Sequence, residues 1–217
     1  MKANLKSIKI FILLSCIFCS CNMQPQNHVK GKTADTITKD IPHDSKGNPL
    51  RFYHKKAEME KKAGLTPLEN GFDSLQIRIW YGVALKDSLQ LLILKKSDSK
   101  WSAELYSLRL NYDKNRDSLV SVTKSVEIKQ PVSGWENLAD SLAKLGIYAL
   151  PDAHEISSYS EGNDGYGVTV EFATKRRYRI YNYPSFNEQT GVNESRKVEQ
   201  IIELIEKDFS FKRLSAR

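Results

Sequence analysis

The chain has 217 residues, with 33 Lys and Arg against 26 Asp and Glu and a formal charge of +7. That charge is unevenly placed: residues 1–20 carry three lysines and no acid, residues 22–64 carry nine basic and five acidic groups, and residues 65–217 carry 21 of each. Nucleic-acid binders concentrate positive charge on the folded module, so a neutral stretch of 153 residues argues against that class. The three cysteines, Cys16, Cys19 and Cys21, all lie at the N-terminus, which leaves neither a disulfide framework nor a thiol nucleophile for the rest of the chain.

In chain order, Lys2, Lys6 and Lys9 precede an apolar run, Ile10-Phe11-Ile12-Leu13-Leu14, that continues to Phe18. A short positive region followed by a short apolar core reads as a secretory signal peptide over residues 1–20. The core is shorter than the roughly 20 apolar residues of a membrane span. Phe18-Cys19-Ser20-Cys21 resembles a lipobox: an apolar residue at −3, a small residue at −1, then cysteine. Leu is more usual than Phe at the −3 position. The expectation is cleavage after Ser20 and a diacylglycerol thioether on Cys21, which makes the membrane a partner through lipid. Cleavage removes Cys16 and Cys19, and lipid consumes Cys21.

Residues 22–50 are polar and carry Pro25, Gly31, Pro42, Gly47 and Pro49. They read as a flexible tether, with a reach on the order of 30 Å. Residues 51–63 hold good helix formers before Gly64. Their polarity predicts a marginal helix weakly attached to the core, so residues 21–64 read as lipidated cysteine and tether, and residues 65–217 as one globular domain.

Strand signals begin near Phe72. Leu75, Ile77, Ile79 and Tyr81 alternate with Gln76, Arg78 and Trp80, the period of two of a half-buried strand. Leu89–Lys95, Trp101–Tyr112 and Val120–Ile128 follow across short polar turns and predict an antiparallel meander. Ser133-Gly134-Trp135-Glu136 fits a capping box, and Trp135, Leu138, Ala139, Leu142 and Leu145 follow at helical spacing up to Gly146. Val168–Thr174 and Arg177–Tyr183 predict a hairpin. A three-residue loop, Thr174-Lys175-Arg176, would set Phe172 opposite Tyr178 and Glu171 opposite Arg179. A two-residue loop would set Phe172 opposite Arg179 and mix the faces. Val198, Ile201, Ile202, Ile205 and Phe209 form one stripe of a last helix over about 194–209. The expected fold is α+β: an antiparallel sheet of about six strands with two helices packed on one face.

No constellation of catalytic groups stands out. His28, His43 and His54 precede the domain, and His154 stands in it with Asp152 and Glu155 beside it. A metal site needs more ligands at close spacing, so no metal and no cofactor are expected. Glu161–Gly167 (EGNDGYG) matches neither the phosphate-loop nor the calcium-loop pattern. Lys175-Arg176-Arg177-Tyr178-Arg179 alternates its side chains along a strand and reads as solvated hairpin chemistry. One feature rises above this background. If the helices cover one sheet face, the other presents Arg78, Trp80, Glu171, Arg179, Tyr181 and Tyr183. Trp, Tyr and Arg are the types enriched in binding hot spots, so these six are the candidate interaction face for a protein or glycan.

The lipobox, the polar tether and the segments FDSLQIRIWYG, KWSAELY and GIYALPD resemble uncharacterised lipoproteins of Bacteroides-type Gram-negative bacteria. The resemblance implies an envelope location and no assigned activity. In such bacteria an acidic cluster after the lipidated cysteine directs lipoproteins to the cell surface. Asn22-Met23-Gln24-Pro25-Gln26 has no acid, which implies the periplasmic side of the outer membrane. Three functions are compatible with this sequence: a non-catalytic envelope interaction module, a lipid-anchored immunity protein neutralising a toxin, or an enzyme using the 154–167 loop. The first is favoured because no nucleophile has a base and an orienting partner.

Overall fold

The computed structural model describes residues 36–83, 87–115, 118–160 and 166–210. The expected signal peptide over residues 1–20, Cys21 and the first residues of the expected tether lie outside them. The described chain enters the sheet as a short strand, β1 (Thr38–Asp40), then forms helix α1 (Arg51–Lys62). Four strands follow: β2 (Leu75–Val83), β3 (Ser88–Ser97), β4 (Lys100–Tyr112) and β5 (Leu119–Lys129). Then come helix α2 (Trp135–Lys144), the hairpin β6 (Tyr166–Thr174) and β7 (Arg177–Tyr183), and helix α3 (Asn193–Phe209).

The strands make one seven-stranded sheet in the order β1-β7-β6-β2-β3-β4-β5, antiparallel except where β1 runs parallel to β7. The α+β reading is therefore right, with seven strands and three helices rather than six and two. The β3–β4 hairpin turns on Asp98 and Ser99 at φ 49° and 66°, the positive-φ pair of a tight turn that matches strand twist. The second hairpin joins the meander beside β2, not beyond β5, so β2 and β6 become the middle of the sheet.

The period of two sorts side chains between two covered faces. Ile77, Ile79 and Tyr81 of β2, Leu92 and Leu94 of β3, and Val168, Val170 and Phe172 of β6 point to one face. There they meet Leu138 and Leu142 of α2 and Val198, Ile201, Ile202, Ile205 and Phe209 of α3. Each fully buried aliphatic or aromatic side chain contributes about 1.5–3 kcal/mol of transfer free energy, so this cluster is the main core. The opposite face carries Trp80, Leu91, Ile93 and Leu108, and helix α1 lies across it. Its first turns sit near Tyr178 on β7, and its end reaches β5, where Lys124 Nζ donates to Ala63 O at 2.5 Å. The helix expected to be weakly attached is thus part of the fold.

Two local expectations are corrected. Ser133 does not cap α2. Its hydroxyl donates to Asp208 Oδ2 at 2.8 Å and its backbone N–H to Oδ1 at 3.0 Å, tying the α2 entrance to the end of α3. A capping box occurs instead at Asp152–Glu155, where Asp152 accepts from the His154 N–H and Glu155 from the Asp152 N–H. The β6–β7 register is the two-residue one: Phe172 pairs with Arg179, Glu171 with Ile180 and Ala173 with Tyr178. Mixing the faces costs burial only where one face is wet. Both faces are covered, so Tyr178 is buried against α1. Arg179 on the Phe172 side donates to the carbonyls of Tyr148 and Leu150 at 3.2 and 2.8 Å. Thr174 Oγ1 accepts from the N–H of Arg177 at 3.2 Å, which closes the turn without glycine.

Gly71 joins the loop after α1 to the sheet with φ 87° and ψ 170°, a conformation open essentially to glycine alone. A Cβ there would meet Ile37 Cδ1 at 3.0 Å and Thr174 O at 3.2 Å. Gly71→Ala is expected to lower the unfolding free energy by about 1–3 kcal/mol, measured by urea titration. No change would place this loop outside the cooperative fold.

Candidate functional site

Alternation on β2 and β6 places Arg78 and Glu171 as direct partners under α1. Helical spacing places Lys56 and Glu60 one turn apart above them. All four are buried, at 2–4% exposure for Lys56, Glu60 and Arg78 and 0% for Glu171. Lys56 Nζ lies 3.0 Å from Glu60 Oε2, 3.1 Å from Glu171 Oε2 and 3.2 Å from the Tyr178 hydroxyl, so its three donors are used. Arg78 Nη1 donates to Glu60 Oε1 and Nη2 to Thr66 O at 2.8 Å. The Gln76 amide, with its oxygen turned toward Arg78, accepts from Nε at 2.8 Å. Glu171 accepts from Trp80 Nε1 at 3.1 Å and from the Tyr178 hydroxyl at 2.9 Å. Two cations and two carboxylates balance, and their polar atoms find partners within the cluster.

Burial pushes the Glu60 carboxyl up to about 7, the Glu171 carboxylate adds to the rise, and Lys56 and Arg78 oppose it. Burial likewise raises the Tyr178 hydroxyl, helped by Glu171. Raised carboxyls occur in active sites, but catalysis also needs a substrate within hydrogen-bond reach. Here α1 stands over the cluster.

The sheet face expected to be open is closed. Trp80 is 4% exposed and Tyr181 0%, so the candidate interaction face is overturned. Its six residues do not share a face either. Arg78, Trp80 and Glu171 lie under α1, whereas Arg179, Tyr181 and Tyr183 point to the α2–α3 side. There the Tyr181 and Tyr183 hydroxyls donate to Ile147 O and Pro151 O, both at 2.8 Å, and Arg179 Nε pairs with Asp40 at 3.1 Å. These side chains fasten the loop after α2 to β7.

Beside the cluster, residues 64–68 with Gly71 and Phe72 overhang Gln76, Arg78, Ile93, Lys95 and Tyr106, enclosing a cleft of about 350 Å³. Its size suits a small ligand. Its charged groups and its tyrosine hydroxyl, however, already have partners: Arg78 as above, and Lys95 Nζ and the Tyr106 hydroxyl both donating to Glu104 Oε2 at 2.9 Å. On the other side of the fold His154 is exposed, while Asp152 and Glu155 are used in the capping box. Residues 161–165 of the glycine-rich loop, Asp164 among them, lie outside the described residues. Among the described residues no group of three metal-ligating side chains comes together, and no helix is long and apolar enough to cross a membrane.

What stays open is an edge of the sheet. β5 is 11 residues long, bonds only to β4 among the described strands, and is exposed along most of its length. Val120, Val126 and Ile128 are 55, 51 and 71% exposed. Sheet edges are ordinarily blunted by free charges or proline. Here the Lys124 ammonium is committed to Ala63 O, Lys129 pairs with Glu127 at 2.7 Å, and proline first appears at Pro131, past the strand. The apolar members of the Val120–Ile128 segment carried the signal for this surface, but the sequence could not place the strand at the edge.

Comparison with known proteins assigns no relative: no family model, curated protein or solved structure matches the chain.

Removing one member of a buried ion pair leaves its partner uncompensated, at about 3–5 kcal/mol. Glu171→Ala is therefore expected to lower the unfolding free energy by that amount, read from denaturant titration. A loss under about 0.5 kcal/mol, the level of a surface substitution, would contradict the buried ion-pair cluster.

Because Glu60 holds its proton more tightly in the folded protein than in the unfolded chain, its ionisation opposes folding. The effect is absent below about 4.5, the ordinary value, and complete above about 7. The stability of the parent relative to Glu60→Gln is expected to fall as pH rises through that window. A rise would contradict the assignment.

Proposed function

We propose that this protein is a lipid-anchored component of a bacterial cell envelope whose domain is a non-catalytic interaction module, binding through the open edge of β5. The envelope part rests on the signal-like segment and on Cys21 in its lipobox-like context. The position of Cys21, without an acidic cluster after it, favours the periplasmic side of the outer membrane. The observation that carries the interaction reading is the exposed edge strand with Val126 and Ile128 on it. An edge strand offers a row of backbone donors and acceptors to any chain that can add a strand, and alternate side chains give such pairing its selectivity. The non-catalytic reading is supported by the state of the titratable groups. Glu60, Glu171, Lys56 and Arg78 are occupied with one another beneath α1, and Asp152 is engaged in capping and in accepting the Asn182 N–H at 2.7 Å.

The anchor is tested by growing a Gram-negative host that expresses the full chain with a palmitate analogue. Label is expected on the parent and lost in Cys21→Ser. Label that survives Cys21→Ser contradicts the anchor. The interaction surface is tested by placing a photo-crosslinking residue at Val126 in the same cells. Adducts are expected there and not at the exposed His154. Equal adducts at both positions, or none at Val126, contradict the proposal.

A further inference from the structure

We infer that the partner of β5 is a second copy of this chain, paired antiparallel to the first about a two-fold axis through Ser125. This rests on the reading of β5 as the interaction surface. One half of the strand is already covered and the other is not. On the α1 side of the sheet, β5 presents Val122, Lys124, Val126 and Ile128, which lie beside Leu110, Leu108, Tyr106 and Glu104 of β4. Helix α1 ends over the first half of this row: Lys124 bonds to Ala63 O, and Val122, like Met59 and Leu65, packs against the cluster of Trp80, Leu91, Ile93 and Leu108. The second half, Val126 and Ile128, is bare. A two-fold perpendicular to the sheet reverses the strand and keeps each face on its own side. The bare half of each copy then stands against the shouldered half of the other.

The register follows from charge and from the ends of the strand. Pairing about Ser125 aligns Ser121–Lys129 of one copy with the same nine residues of the other, all within β5. It sets Val122 opposite Ile128 and Lys124 opposite Val126, each twice. On the polar side it sets Thr123 opposite Glu127 and Ser121 opposite Lys129. No charge faces its own sign. Centring on Lys124 or Glu127 would place like charges directly opposite, which destabilises a ladder. Centring on Thr123 would draw in the irregular end, where the register shifts between Asn111 and Tyr112. Centring on Val126 keeps only seven residues within the strand. The short β1 lies at the far edge of the sheet, so it does not stand in the way of this pairing.

The test uses the full chain in the envelope of a Gram-negative host. Ser125→Cys brings two thiols together across the axis, so mild oxidation is expected to give a band of twice the monomer mass. Ser121→Cys, whose counterpart lies far along the partner strand, is expected to give at least ten-fold less, and the parent chain controls for Cys21. Adding Val126→Lys to Ser125→Cys sets two lysines opposite each other and is expected to cut the dimer at least ten-fold, with circular dichroism unchanged because position 126 is exposed. Equal cross-linking at positions 121 and 125, or a monomer at both, overturns self-pairing. If position 125 or the photo-crosslinker at 126 joins a different protein, self-pairing falls while the interaction reading stands. If no position on β5 joins anything, both fall.

Discussion

Two glutamates and two basic side chains, buried together between α1 and the sheet, determine how this protein is put together. Charges taken out of water cost several kcal/mol each unless they are paired and hydrogen-bonded. Lys56, Glu60, Arg78 and Glu171 meet that condition only when α1 lies on β2 and β6 with Lys56 over Glu171 and Glu60 over Arg78. An apolar helix could slide along an apolar sheet and lose little. This one cannot move by a turn without stranding four charges. The cluster therefore fixes a unique docking, and Tyr178 and Trp80 complete it by satisfying Glu171.

Much of the fold was legible because one-sided periodicity is a strong signal. The alternation of Ile77, Ile79 and Tyr81, the stripe of Val198, Ile201, Ile202 and Ile205, and the stop at Gly146, with φ 81°, all led to the observed elements. The second covered face was not legible, because its residues are of the kinds that normally face water. Lys56 and Glu60 read as a solvated helix, and Arg78 and Glu171 as the wet side of strands. The unbroken run Leu91-Leu92-Ile93-Leu94 held a clue, since a strand apolar on both sides needs cover on both sides. The hairpin register failed for the same reason. With two buried faces, Tyr178 and Phe172 need not share one. Asp152 and Glu155, read as companions of a histidine, turned out to cap a short turn.

Covering the second face changes where recognition can happen. The aromatic side chains that suggested a binding platform are structural: Trp80 holds Glu171, and Tyr181 and Tyr183 hold the loop after α2. Exposed apolar surface instead gathers along β5, where α1 stops short of Val126 and Ile128. The same helix that closes the face thus leaves half of an edge strand bare. The segment first read as a tether, from β1 through α1, belongs to the folded body.

The central claim is that α1 is an integral, clamped part of this fold. Hydrogen exchange of the backbone amides in the second half of α1, residues 56–62, measures that most directly. They are expected to exchange as slowly as those of α3, through opening of the whole domain. Exchange at the rate of an isolated 12-residue helix, with α3 still protected, would contradict it.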